Sequence, residues 1–193
     1  PPSALLEYLS QSHKDKLNNL EDAFKNVEIE DKFTDFWHLH GYRNIMLKMK
    51  ELINNANKKI IISGWKREFS ECKKELMSAK RRGVRCTIFS FTEVDEKLGK
   101  IVSYKLDEDE LRKIWTPKII MVVDHSHTLM GSAQSVEQSK AILTQNKAIS
   151  EIAMNHIILD ITLAGQRLGF DSAEYVKDIM RNPAEDLQSL LRS

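Results

Sequence analysis

Apolar residues change their period several times along this chain, and each change marks an element. Over residues 3–27, Leu6, Ser10, His13, Leu17, Leu20, Phe24 and Val27 recur at alternating spacings of four and three. That is the a/d stripe of a short coiled-coil helix, with two polar positions near its start. The charged run EIEDKFTD at 28–35 reads as a connector, and His38 and His40 read as helix-entry residues. A helical period returns over 42–56 through Ile45, Leu47, Met49, Leu52 and Ile53, until the amide-rich stretch 54–59 breaks it. Residues 59–63 then read as a buried strand, 70–82 as a helix closed by Gly83, and 84–91 as a second strand. Strand, helix, strand predicts parallel pairing through a right-handed crossover.

Beyond residue 91 the pattern is less regular. Residues 92–100 are polar and predict a loop near the carboxyl edge of the sheet, followed by a short edge strand at 101–106 and a charged segment at 107–113. The run 119–123 is apolar and rich in β-branched residues, as suits a strand covered on both faces. Shorter strands are expected at 127–131 and 141–143. A long helix over 147–168 carries Ile149, Ile152, Ala153, His156, Leu159 and Leu163 on one face. Two terminal helices follow at 171–181 and 183–191, the second with Asn182 as cap and Pro183 at its first position. The division implied is a dimerisation helix at 1–30, an α/β domain at 36–168 and C-terminal helices at 169–193.

Composition narrows the class. The chain has 193 residues, 30% of them charged and 41% hydrophobic, which is ordinary for a globular protein able to bury a sizeable core. A net charge of +1 supplies no strong field toward nucleic acid or membrane. Two cysteines, Cys72 and Cys86, make no disulfide framework, which predicts a reducing, cytoplasmic setting. No apolar run approaches the ~18 residues that cross a bilayer, and the opening PPSALLEYL has no signal-peptide pattern. A start on Pro1 rather than Met leads us to expect a portion of a longer protein.

The candidate chemistry lies in WTPKIIMVVDHSHTLMGSAQ, residues 115–134. Its strand ends on Asp124, where a carboxylate would meet ligand in an open α/β sheet. If this strand neighbours the one ending Ser63-Gly64-Trp65, then Ser63, Trp65 and Lys66 would share a pocket with Asp124, His125 and Ser132. The alternative is that Trp65 is core and Asp124 caps a turn. His125 and His127 form an HxH pair with no supporting carboxylate or cysteine, so no metal and no cofactor are implied. The spacing resembles the H-x-K-x4-D-x6-G-S-x-N signature of phospholipase D-type phosphodiesterases. Asp124, Gly131 and Ser132 fall in register, with Gln134 in place of the Asn. In that family the His attacks phosphorus and the Lys holds the phosphate. Here Pro117 and Ile119 stand at those positions, and neither can do that work. Lys118 is one residue out of phase and points to the other face of a strand. The resemblance thus implies the scaffold without the reaction, and no catalytic residue.

A second resemblance covers roughly residues 1–165. Trp37 to Trp65, with a Gly, a helix, an amide-rich turn and a strand ending Ser-Gly-Trp, is similar to the effector domain of TrmB-like transcriptional regulators. ELMSAKRRGVRCTIFSF, the VVD strand and TQNKAISEIAMNHIILDI fit the same family. It implies a phospholipase D-like sheet flanked by helices, with an N-terminal coiled-coil helix. It also implies a homodimer through Leu6, Leu17, Leu20, Phe24 and Val27, and DNA binding only through a winged helix outside this chain. A small polar effector, such as a sugar, would bind Ser63, Trp65, Lys66, Lys118, Asp124, His125, Ser132 and Gln134. The alternatives are an active phosphodiesterase or nuclease with His125 or His127 as nucleophile, and a purely structural dimerisation module. The substitutions at Pro117 and Ile119 predict no turnover of bis-p-nitrophenyl phosphate. Hydrolysis abolished by His125→Ala would overturn this.

Overall fold

A computed structural model describes residues 7, 8, 10, 11, 14–16, 36–134 and 138–180. The chain divides into two units, residues 1–34 and 35–193. In the first, the seven described residues are helical and exposed. The stripe positions Leu6, Leu17, Leu20, Phe24 and Val27 lie outside the described residues, as does the helix expected at 183–191.

The second unit is α/β. Its elements are β1 (Phe36–His40), α1 (Tyr42–Asn55), β2 (Lys59–Gly64), α2 (Lys66–Glu71), α3 (Lys73–Arg81), β3 (Arg85–Thr92) and β4 (Lys100–Leu106), then α4 (Glu108–Arg112), β5 (Lys118–Val123), β6 (His127–Ser132), β7 (Lys140–Thr144), α5 (Lys147–Leu168) and α6 (Ala173–Ile179). The seven strands form one sheet in the order β1-β7-β6-β5-β2-β3-β4. β2 and β3 run parallel, as the strand-helix-strand order predicts, and β4 also runs parallel to β3. β5 enters antiparallel to β2, and β6, β7 and β1 continue antiparallel from it.

Alternation along the strands supplies both faces of the core. Ile60, Ile62, Ile88, Ile119 and Met121 meet Ile45, Met49, Ile53 and Leu76 on one side. Ile61, Phe89, Val102 and Val122 meet Ala153, Ile157, Ile161 and Ile179 on the other. Burial of this kind supplies about 1.5–3 kcal/mol for each large aliphatic side chain. α5 opens on Asn146, whose side chain accepts from the N–H of Ala148 at 3.0 Å and of Ile149 at 3.3 Å. It closes on Gly169, at φ 74.

Several expectations need correction. Residues 36–40 are not a helix entry but an edge strand paired with β7, from Phe36 opposite Thr144 to His40 opposite Lys140. The helix expected over 70–82 is two helices, broken at Cys72, and the one expected over 171–181 is the shorter α6. On α5 the residues expected to share one face are divided. Ala153 is buried, but Ile152, His156, Leu159 and Leu163 are exposed, and the sheet-facing residues are Ala153, Met154, Ile157, Ile161 and Ala164. This helix is apolar on two sides, so periodicity finds a stripe without saying which one meets the sheet. By length and apolarity alone α5 could cross a bilayer, yet one of its faces belongs to the core.

Gly131 has a packing role. A Cβ there would lie 2.5 Å from Ala141 Cα and closer still to the Lys140 carbonyl, where β6 and β7 approach. Gly131→Ala must push the two strands apart, at a cost of about 1–3 kcal/mol. The melting temperature followed by circular dichroism should fall by roughly 2–4 °C per kcal/mol. An unchanged melting temperature would refute the packing role.

Candidate functional site

The mixed sheet divides the expected pocket between two edges. Because β5 opposes β2, with Ser63 facing Ile120 and Ile60 facing Val123, the end of β2 shares an edge with the start of β5 and the end of β6. Ser63, Trp65, Lys66, Lys118, Ser132 and Gln134 lie along that edge. Asp124 and His125 lie at the opposite one. The expected convergence of Trp65 with Asp124 is therefore corrected: it required β2 and β5 to be parallel.

At the first edge the polar groups are engaged with one another. Glu68 is 1% exposed and accepts from the Trp65 N–H at 3.2 Å, Tyr42 Oη at 3.3 Å and Arg67 Nε at 3.0 Å. Arg67 lies 4.0 Å over the Tyr42 ring and donates to the carbonyls of Ala133 and Gln134. Burial raises the Glu68 carboxyl against the pull of Arg67. Burial also weighs against the Arg67 charge, but the bond and charge of Glu68 outweigh it and raise Arg67. Trp65 is buried, with the Arg112 guanidinium 5.5 Å over its ring, so it is a core residue and not an open stacking wall. Ser63 is half-buried, Lys66, Lys118 and Gln134 are exposed, and Ser132 Oγ accepts from the Lys140 N–H at 3.2 Å. Pro117 and Ile119 are buried. Tyr42, Arg67 and Glu68 went unnoticed in the sequence, which offered only scattered charges between two helices.

At the second edge Asp124 is a clamp. Its carboxylate accepts from the N–H groups of Asn57 at 2.9 Å, Lys58 at 2.8 Å and Lys59 at 2.8 Å. Partial burial pushes this carboxyl up, but those three bonds outweigh it and hold it below the usual carboxylate range. Asp124 and His125 both have positive φ, 51° and 57°, where β5 turns into β6. His125 Nδ1 lies 3.0 Å from Met154 Sδ. The two cysteines are buried, which pushes the Cys72 thiol up to about 12 and Cys86 up to about 11, so neither is a thiolate at neutral pH.

An open cleft of ≈ 770 Å³ lies at this same edge, between α1 and the β1–β7–β6 side of the sheet. Small-molecule sites commonly fall in this size range. Trp37, about half exposed, and Leu39 form one wall; Leu47, Lys48, Glu51 and Asn55 of α1 form the other. Asn44, Asn57, Ser126, His127 and Gln145 add amide, hydroxyl and imidazole groups. Gln145 Nε2 lies 3.1 Å from His127 Nε2, and Ser126 Oγ lies 2.9 Å from His127 Nδ1. Lys48 and Glu51 pair at 2.7 Å. Of the expected site residues, Asp124 alone lines this cleft. The signal available in the sequence was the alternation FWHLH, which puts Trp37 and Leu39 on one face of a strand.

Residues 35–159 match the family model for the transcriptional regulator TrmB, EBD N-terminal subdomain. That span is well over half of the chain, which therefore belongs to the TrmB family of transcriptional regulators. The chain is 21% identical over 154 residues to the uncharacterized protein YrhO of Bacillus subtilis (strain 168), covering 80% of this chain and 55% of that protein. It thus spans about half the length of this relative. Among solved structures it is similar to TrmBL2, described as an archaeal chromatin protein with a novel mode of DNA binding. That likeness has a TM-score of 0.48 at 15% identity, over 80% of this chain and 62% of that one. It is also similar to NucT from Helicobacter pylori (TM-score 0.48, 11% identity, 66% and 96% covered). A third likeness is to Nuc, a phospholipase D family member from Salmonella typhimurium (TM-score 0.45, 16% identity, 65% and 93% covered).

Asp124→Ala leaves three N–H groups without their acceptor and should cost about 1–3 kcal/mol at neutral pH. A carboxyl held low in the folded state contributes fully above the unfolded value of ~3.9 and loses that contribution as pH falls through the folded value. The stability gap between parent and variant, measured by urea denaturation, should therefore close as the pH drops below about 4. A gap constant down to pH 2 would refute the clamp.

Proposed function

We propose that this chain is the effector-sensing portion of a cytoplasmic, dimeric transcriptional regulator without phosphodiesterase chemistry, and that its effector occupies the cleft beside β1. DNA contact belongs to a winged helix elsewhere in the protein. The observation that carries the assignment is the exposed Trp37 ring, set among carboxamide and hydroxyl groups in a cleft of ligand size. An aromatic face with amide donors and acceptors suits a neutral, hydroxylated small molecule. Charged ligands fit less well, because Asp124 is committed to backbone N–H groups and Lys48 and Glu51 neutralise each other. The relic edge at Pro117 is disfavoured as the site, since its cation and carboxylate already satisfy each other and its tryptophan is covered.

Position in the chain also supports a sensing role. β1 follows directly on the connector 28–35, which leads back to the apolar stripe at 6–27 that we propose joins two chains. A ligand touching Trp37 and Leu39 would bear on the strand nearest that connector. It shifts the dimer only if it binds two arrangements with different affinity.

A thermal-shift screen of sugars and polyols, followed by calorimetry, tests this reading. Trp37→Ala should weaken binding at least tenfold, about 1.4 kcal/mol, with the melting temperature of the free protein nearly unchanged. Binding undiminished in Trp37→Ala, or no response to any neutral hydroxylated compound, would overturn the assignment. The second result would favour a purely structural module.

A further inference from the structure

The net charge of +1 conceals an uneven distribution. β2, β3 and β4 run parallel, so their starts share one edge of the sheet and their ends the other. Asp107, Glu108, Asp109 and Glu110 follow the end of β4. The starting edge instead gathers Lys58, Lys59, Lys80, Arg81, Arg82 and Arg85. Lys59 lies opposite Arg85 in register, and the Arg85 N–H donates to the Lys58 carbonyl at 3.0 Å. The Arg82 guanidinium donates to the carbonyls of Ile53 at 2.9 Å and Ala56 at 3.4 Å, which brings the end of α3 against the end of α1. Lys80 Nζ donates to the Lys97 carbonyl at 2.9 Å, and the buried Lys59 to that of Met180 at 3.3 Å. These acceptors are neutral and cancel none of the charge. Among the described residues, none of these cations forms an ion pair with a carboxylate. The carboxylates that act on Lys58 and Lys59 are engaged elsewhere, Asp124 by three N–H groups and Asp178 by Lys100 at 2.6 Å.

We infer that this edge grips the phosphates of duplex DNA without reading sequence, as an auxiliary contact beside the base-reading one assigned to a winged helix. A helix C-terminus draws cations to its own carbonyls, which accounts for Lys80 and Arg82. It does not account for Lys58, in the turn before β2, or for Arg85, the first residue of β3; both are exposed. Cations so clustered repel one another, and a polyanion relieves that repulsion. Other partners fit less well. Protein interfaces are built on an apolar or aromatic centre and are poor in lysine, whereas no large exposed hydrophobic side chain of the described residues lies in this patch. A lipid surface likewise calls for an apolar face beside the cations. A phosphodiester backbone needs the cations alone. A turn, a helix end and a strand start offer nothing to enter a groove, so phosphates are within reach and base edges are not. The family of transcriptional regulators to which the chain belongs makes DNA, rather than RNA, the duplex to expect. The patch shares no residue with the lining of the effector cleft, so either assignment can fail without the other.

The test uses the full 193-residue chain and a fluorescein-labelled DNA duplex of mixed sequence, read by anisotropy. At about 50 mM salt the dissociation constant should be on the order of 10⁻⁶ to 10⁻⁴ M, and log affinity should fall with log salt by about 0.9 for each phosphate held. AT-rich and GC-rich duplexes should bind alike. The double variant Arg81→Gln, Arg85→Gln alters two exposed side chains, and circular dichroism will show that the fold is kept. Its affinity should be lower by at least about tenfold, with the salt slope shallower by about two. Lys113→Gln, at the other edge, should change neither. An absence of binding at protein concentrations on the order of 10⁻⁴ M in that salt overturns the inference. So does a double variant that binds as the parent does, or binding confined to one duplex sequence. Polyglutamate bound as tightly as the duplex would assign the patch to acidic protein, and co-flotation with anionic vesicles, lost in the double variant, would assign it to lipid; either result overturns it as well.

Discussion

The union of β5 with β2 governs the rest of this domain, and the Asp124 carboxylate closes it. β5 arrives antiparallel beside a strand whose other neighbour is parallel, so two kinds of hydrogen-bond ladder meet along β2. A one-residue slip there would exchange Ile119 and Met121 for Lys118 and Ile120 on the face under α1. The N–H groups of Asn57 and Lys58, before β2, and of Lys59, its first residue, converge on Asp124, and its own N–H donates to the Lys59 carbonyl at 2.9 Å. The end of β5 is thereby tied to the start of β2 at one register.

That union separates two edges of the sheet. At the one that carries Pro117, a compact internal network of Arg67, Glu68 and Tyr42 also holds the carbonyls of Ala133 and Gln134. A half-buried cation beside a fully buried carboxylate stands only because each compensates the other. At the opposite edge an open cleft lies between α1 and the β1–β7–β6 side of the sheet.

Much of the fold was legible in the sequence. The parallel β2–β3 pair, the central β5 and the long α5 all follow from local period and composition. What could not be read was pairing direction, since an apolar run such as IIMVV is silent on whether its neighbour runs with it or against it. The Trp65–Asp124 pocket rested on that silence. β1 was missed because two histidines in FWHLH masked its alternation, and with it went Trp37. The buried face of α5 could not be read because its sequence carries two apolar stripes, and only packing decides between them.

The position of β1 has a kinetic consequence. Its hydrogen-bonding partner is β7, more than a hundred residues later in the chain, and closing so long a loop comes late when local and near-neighbour contacts form first. A nascent or partly folded chain can hold β2, β3 and their helices while Trp37 still has no strand to lie against. The cleft exists only once the last strand is in place, so the binding we propose for it would arise abruptly, at the end of folding, and belong to finished molecules.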